Sequence, residues 1–223
     1  MPYTNDVKML PLIDGAGYKL FDAEMLSLTD GARNKLFGAK MFCPALPVET
    51  GHFYLGGVMK ITEGYFYHIK DSYFSDVDEA TLMSNHENGG YRPHFFAIRD
   101  AAYPCIFWMV PVSSRFGKYR KLHDSIVAKY RRCTKIVLGK CGGTDAAFLV
   151  QNAFPVTEDY LDHIHTINGE PLTLHKTTAE NVIHCLNGNL RLHKRGVNLF
   201  FADIDRLYGL MSAHLHDDLS LRS

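Results

Sequence analysis

The chain has 223 residues, 46% of them hydrophobic, a length that holds one sizeable core with room for an appendage. Lysine plus arginine and aspartate plus glutamate each number 24, so net charge alone points to no partner. The five cysteines (Cys43, Cys105, Cys133, Cys141, Cys185) are odd in number and lack C-x-x-C spacing, which argues for a reducing compartment and against zinc. No stretch approaches the roughly 18 apolar residues that span a bilayer, and no basic-then-apolar leader opens the chain. The expectation is a cytoplasmic protein with no membrane partner and no cofactor.

Met9 to Glu24 (MLPLIDGAGYKLFDAE) and Met25 to Lys40 (MLSLTDGARNKLFGAK) are identical at ten of sixteen positions, and Met41 opens a third register in which the likeness stops. Repeat architectures need about three units to bury a continuous core, and Gly15, Gly17, Gly31 and Gly38 weaken any helix drawn through these segments. Two readings stay open: a small paired motif packed on the main domain, or a translated stretch of DNA that is not ordinarily coding. For the second, sixteen codons make a direct nucleotide repeat. Pro44-Ala-Leu-Pro47 is compatible with GC-rich DNA and His52-Phe53-Tyr54-Leu55 with a thymidine run. Gly56-Gly57-Val58-Met59-Lys60 is compatible with a ribosome-binding site a short gap before an ATG. Repeat, terminator, ribosome site and start codon form the layout of an RNA-repeat gene upstream of a protein gene. The expectation is that residues 1–58 are a non-native extension and 59–223 the functional domain.

Tyr65 to Ile69 alternates as a first strand. Asp71 to Asp78 reads as a turn, Glu79 to Ser84 as a helical turn, and Asn85-His-Glu-Asn-Gly-Gly90 as a flexible loop. Pro93 marks the start of the strand that carries His94. Two aromatic and branched runs, Phe95 to Ile98 and Cys105 to Val112, are separated by Asp100, Ala102 and Pro104 and predict a buried hairpin. Lys118 to Cys133 reads as a basic amphipathic helix with Leu122, Ile126 and Val127 toward the core. Thr134 to Lys140 and Ala146 to Val150 predict a second hairpin turning at Gly142-Gly143-Thr144. Thr157 is a candidate cap of a short helix, and Asn168-Gly169 a hairpin turn within His163 to Leu174. Thr177 or Thr178 caps a helix that runs to Leu186 and is interrupted at Asn187-Gly-Asn189; Asp203 to Leu215 is a final amphipathic helix. This order suggests an α+β fold, a strongly curved antiparallel sheet with helices on its outside.

The second apolar run ends in Pro111 and the pair Ser113-Ser114, and cations follow at once. From Arg115 to Lys140, nine basic residues (Arg115, Lys118, Arg120, Lys121, Lys129, Arg131, Arg132, Lys135, Lys140) stand against one acidic residue, Asp124. A concentrated basic segment in a neutral protein is either a solvated helix face or a polyanion site. RNA is cut without metal when its own 2′-hydroxyl attacks the adjacent phosphate. The protein must then take that proton, protonate the leaving 5′-oxygen and stabilise the charge on phosphorus. Ser113 and Ser114 can hold phosphate oxygens or relay a proton; Arg115 and Lys118 offer a bidentate fork and a point charge; His94 titrates near neutrality. Tyr67, Tyr73, Tyr91 and Phe116 are candidates for stacking on splayed bases, and Arg92, Arg120, Lys121, Arg131 and Arg132 for holding the RNA backbone. A turn-forming serine pair and a core histidine are the structural alternatives. His163-x-His165 has metal-ligand spacing without an identifiable third ligand, so no metal site is assigned. For the chain as a whole, a non-catalytic RNA-binding regulator and a metal hydrolase on His163 and His165 stay open.

Lys70-Asp-Ser-Tyr-Phe-Ser-Asp76, Tyr91-Arg-Pro-His-Phe-Phe96, Phe107-Trp-Met-Val-Pro-Val-Ser-Ser-Arg115 with Lys118-Tyr119, and Phe154-Pro-Val-Thr157 resemble the toxins of type III toxin–antitoxin systems. The nearest branch is the CptN group, related to ToxN and AbiQ, and the resemblance runs from about Met59 to Leu210. It implies a metal-independent endoribonuclease on a twisted, barrel-like antiparallel sheet with peripheral helices. Such an enzyme cleaves single-stranded cellular or phage RNA, leaves 2′,3′-cyclic phosphates, and serves growth arrest or phage defence. The resemblance also implies inhibition by repeats of an antitoxin RNA encoded just upstream, within a protein–RNA oligomer. The family's Pro-hydrophobic-Ser/Thr-Ser falls on Pro111, Val112, Ser113 and Ser114. Many relatives place a lysine two residues after the second serine, where this chain has Phe116, so the phosphate cation is either Arg115 or Lys118.

Overall fold

Strand β5 (Ile106–Ser113) is buried along its whole length because it is bordered on both sides. The computed structural model describes residues 61–87 and 89–221, and from residue 216 onward only the backbone of the last helix. The proposed extension, residues 1–58, lies outside the described residues. On one side β5 pairs with β4 (His94–Arg99), the hairpin expected from the two aromatic runs. On the other it has two partners in turn: Ile106 to Met109 pair with β8 (Phe154–Thr157), and Val112 and Ser113 with β7 (Thr144–Phe148). Pro111 stands where one partner gives way to the next, so its missing N–H costs no ladder bond, while its carbonyl accepts from Leu149 N–H at 3.0 Å.

The other strands are β1 (Phe66–Ile69), the short pair β2 (His86–Glu87) and β3 (Gly90–Tyr91), β6 (Val137–Cys141), β9 (Leu161–Ile164), and the pair β10 (Thr166–Ile167) and β11 (Glu170–Pro171). The main sheet is antiparallel, ordered β6-β7-β5-β4-β1-β9 with β8 beside β5. Among the described residues it ends in β6 and β9 and is not closed into a barrel; of the expected twisted, barrel-like antiparallel sheet with peripheral helices, the antiparallel sheet and the helices are present. Register shifts between Phe96 and Ile98 and between Tyr67 and Ile69 are irregularities of the kind that bend a strand and increase its twist.

Both faces of the sheet are covered. One packs Phe66, Phe95, Val110 and Phe148 against α3 (Lys176–His193) through Val182 and Leu186. The other packs Tyr67, Phe96, Met109 and Phe154 against α1 (Asp71–Val77) and α4 (Ile204–Leu221) through Tyr73, Val77, Leu207 and Met211. Residues of both parities along β4 and β5 are therefore apolar, and each large one that is fully buried contributes about 1.5–3 kcal/mol.

Several local expectations change. Asp71 to Val77 is helix rather than turn, because Tyr73 and Val77, four residues apart, share one buried face; Glu79 to Leu82 forms turns instead of helix. Helix α2 (Phe116–Tyr130) starts two residues early and stops before Cys133, at Arg131 in the left-handed region (φ 65°) with its N–H on the Val127 carbonyl. It buries no residue, and Leu122, expected inside, is 42% exposed. The helix expected after Thr157 is a single 3-10 turn. Helix α3 continues through Asn187-Gly-Asn189 because Asn189 is buried and its amide donates to the Thr134 carbonyl at 3.0 Å. The Asn168-Gly169 turn forms as expected, with φ 55° and 84°, the two positive values of a type I′ hairpin.

Candidate functional site

Antiparallel pairing sets Tyr67 of β1 opposite His94 of β4, and His94 opposite Pro111 of β5. The exit of β1, the start of β4 and the exit of β5 therefore share one end of the sheet. Ser113 is 1% exposed there, whereas Ser114 and Arg115 are exposed. Helix α2 begins at the next residue, with Arg115 as its N-cap and no side-chain cap bond. Its first-turn N–H groups give this end of the helix a partial positive charge.

A carboxylate that the sequence reading did not single out organises the residues around Ser113. Glu87 Oε2 lies 3.0 Å from Arg92 Nη1, and Glu87 Oε1 lies 3.4 Å from Arg115 Nε. The Ser113 hydroxyl donates to Glu87 Oε1 at 3.3 Å, and Ser113 Oγ accepts the Arg115 backbone N–H at 3.3 Å. Arg92 also donates from Nη1 to the Val112 carbonyl at 2.9 Å and from Nε to the Ser84 carbonyl at 3.0 Å. The Arg92 and Glu87 side chains are 6% and 12% exposed, and that of Arg115 is 63% exposed. Removing one partner of the Arg92–Glu87 pair strands a buried charge, at about 3–5 kcal/mol, whereas the Arg115 contact is a surface pair of about 0–1 kcal/mol. A lone glutamate in a glycine-rich loop before Tyr-Arg-Pro was the only signal for Glu87, and periodicity does not register it.

The expected site residues separate into three groups. Ser114, Arg115 and Lys118 are exposed together where β5 passes into α2, with Phe116 half-buried between them. Lys118 sits over the Tyr119 ring at 5.4 Å and has no carboxylate partner among the described residues. Arg120 and Lys121 continue along α2, Arg120 reaching Asp124 at 3.8 Å. Arg131 and Arg132 are exposed just beyond its far end, roughly 22 Å away for a helix of this length.

The second group lies inside. Arg92 was expected to hold RNA, but its guanidinium is committed to Glu87, Val112 and Ser84. Tyr67 and Tyr73 were expected to stack on bases; both are 0% exposed. Tyr73 donates to the Pro155 carbonyl at 2.8 Å, and Tyr67 accepts the Thr62 N–H at 2.8 Å. Their rings belong to the core under α1 and α4. His94 is also 0% exposed, its ring 5.3 Å from that of Phe154 and 6.4 Å from that of Phe74. Its ring is engaged only loosely, by the Arg92 backbone. Burial, then the positive charge of Arg92, pushes its pKa down to about 3, which keeps the imidazole neutral.

The third group surrounds Tyr91, which is 47% exposed and donates to Asp71 Oδ2 at 3.1 Å. His163 and His165, weighed as metal ligands, meet His68 instead. His68 Nε2 lies 2.8 Å from His165 Nδ1, and His163 Nδ1 lies 2.8 Å from Asp162 Oδ2. No group of three His, Cys, Asp or Glu side chains arranged to hold a metal occurs among the described residues, and no helix among them is long and apolar enough to cross a membrane.

No family model matches the sequence, and no curated protein matches it. Among solved structures, the chain is similar to AbiQ, a lactococcal anti-phage endoribonuclease of a type III toxin–antitoxin system. The TM-score is 0.50 at 15% identity, over 68% of this chain and 98% of that one. A second structure, from a bacterial antiviral system regulated by a processed non-coding RNA, gives a TM-score of 0.49 at 10% identity over 65% and 95% of the two chains. The open antiparallel sheet and the four helices of the described residues are thus similar in fold to AbiQ, a type III toxin–antitoxin endoribonuclease.

Proposed function

We propose that the chain is an endoribonuclease toxin that cleaves single-stranded RNA by 2′-hydroxyl attack and is restrained by its own repeat RNA. The observation that carries this reading is the Glu87–Arg92–Ser113–Arg115 network at the end of β5, which presents Ser114 and two cations at a helix start within a fold shared with an endoribonuclease. In the reaction the 2′-oxygen bonds to phosphorus as its proton leaves, the bond from phosphorus to the 5′-oxygen breaks, and that oxygen takes a proton. The products are a 2′,3′-cyclic phosphate and a 5′-hydroxyl. The exposed Ser114 hydroxyl orients or relays the 2′-hydroxyl proton. Lys118, which has no carboxylate partner among the described residues, meets the phosphate, and the α2 N–H groups add to the field that stabilises phosphorane charge. Arg115 contacts Glu87 through Nε, a pair weak enough to exchange, and its exposed guanidinium can share the phosphate. His94, buried and neutral, serves as acid or base when substrate binding opens the Phe74 side of its pocket. The basic row along α2 tracks the RNA backbone. Residues 1–58 belong to this proposal as translated antitoxin repeat and terminator, with the toxin beginning at Met59.

Purified chain incubated with single-stranded RNA in EDTA should yield fragments ending in 2′,3′-cyclic phosphate. Ser114→Ala should lower the cleavage rate by about 100-fold or more, in the range of general acid–base contributions, with unchanged RNA affinity and melting midpoint. Retention of RNA without cleavage by the unsubstituted chain would instead mark a binding protein, and full activity in Ser114→Ala would take Ser114 out of the site.

A further inference from the structure

The β2–β3 hairpin sorts its side chains to two sides. His86 and Tyr91 are cross-strand partners, and Glu87 faces Gly90. Neighbours along a strand point oppositely, so His86 and Tyr91 turn away from Glu87, which goes to Arg92, Ser113 and Arg115. On their own side the Tyr91 ring lies 4.4 Å from that of His86, tilted by 45°, and 6.1 Å from that of His68, edge-on at 84°. The His68 ring stacks on His163 at 4.4 Å and 25°. This row of rings is open to solvent: the His86 and His163 side chains are 49% and 58% exposed. Beneath them His68 is 7% exposed, and its Nδ1 has no partner among the described residues.

Charge separates the two sides as well. Ser114 is flanked by Arg115, Lys118, Arg120 and Lys121. The rings are flanked by carboxylates: Asp71 lies 3.1 Å from His86 Nε2 and accepts from Tyr91, while Asp162 holds His163. These carboxylates fix the ring orientations and repel a phosphate. Flat, exposed ring faces beside a cationic edge suit the two halves of a nucleotide, with the base on the rings and the phosphate on the cations.

We propose that Tyr91, His86 and His163 form a base-binding subsite that stacks a purine of the RNA next to the scissile phosphate. This rests on the ribonuclease reading above and adds where the flanking base goes. Asp71 is a positioning residue that holds the rings of His86 and Tyr91. A purine is favoured because the rings are inclined to one another, so that its two-ring frame stacks on one and reaches the next with its edge.

The test uses the full chain carrying Ser114→Ala and short single-stranded RNAs with the fluorescent purine 2-aminopurine at one position at a time. Quenching should concentrate at one position adjoining the bond that the unsubstituted chain cuts. Adding Tyr91→Ala or His163→Ala should abolish that quenching and weaken binding by roughly 5- to 150-fold. Tyr91→Phe, which keeps the ring, should retain it, and Arg120→Ala should weaken binding while leaving the quenching in place. In cleavage assays with Ser114 intact, replacing that purine by a pyrimidine should slow the unsubstituted chain and leave the already slowed Tyr91→Ala chain unchanged. Cleavage without position-specific quenching, or quenching indifferent to Tyr91 and His163, overturns the subsite. Position-specific quenching without any cleavage removes the nuclease reading and leaves the subsite standing.

Discussion

His94 lies wholly inside the core, on β4 beside the serine-bearing strand β5. The imidazole is pushed down to about 3 in the folded chain, while a histidine in the unfolded chain titrates near 6.5. The native state therefore refuses a proton that the unfolded state accepts. Stability is full above about pH 6.5 and falls as the pH drops from there toward 3. His68, pushed down to about 4 by burial and then by His163 and His165, adds in the same direction. Urea midpoints at pH 7 and pH 5 should thus differ more for the unsubstituted chain than for His94→Leu; equal differences would remove His94 from the effect. The sequence marks His94 as a chemical candidate. It does not reveal that Phe74 and Phe154, 20 positions before and 60 after it, close over its ring.

Helix α2 shows the opposite balance, a long element that buries nothing. Its boundaries were roughly legible from the run of cations and good helix formers, but its orientation was not. Leu122, Ile126 and Val127 were expected inward from spacing alone, yet the place under α2 is small. Ile136, Ala147 and Leu149 form the buried cluster there, with Tyr119 and Leu138 against it, leaving Leu122 outside. An element held by so little apolar packing tolerates surface substitution within about 0.5 kcal/mol, so its cations can be removed without unfolding the chain. Arg120→Ala with Lys121→Ala should leave the melting midpoint almost unchanged and weaken RNA binding across sequences. For every phosphate that loses its cation, the slope of log affinity against log salt should become shallower by about 0.7 for single strands. An unchanged slope would place the RNA backbone elsewhere. The β4–β5, β6–β7 and β10–β11 hairpins were legible because each is encoded locally, by two apolar runs and a turn such as Asn168-Gly169 or Gly142-Gly143.

At the scale of the molecule, the pairings that build the site join distant segments and leave no local mark. β1 lies between β4 and β9, and β5 exchanges β8 for β7 at Pro111. These choices follow from which faces are buried together, which one-dimensional periodicity does not specify. They bring the exits of β1 and β5 and the start of β4 to one end of the sheet, so Glu87, Arg92 and Ser113 meet there while Tyr91 turns to the other side of the β2–β3 hairpin. If the toxin begins at Met59, Met59–Ser223 should melt within a few degrees of the full chain and cleave RNA at the same bonds. An RNA transcribed from the codons of Met9 to Lys40 should inhibit both chains, whereas a scrambled RNA of equal length should not. A truncated chain that is unfolded by circular dichroism would show that residues 1–58 are part of the working protein, and an inert repeat RNA would separate the translated repeat from the antitoxin role.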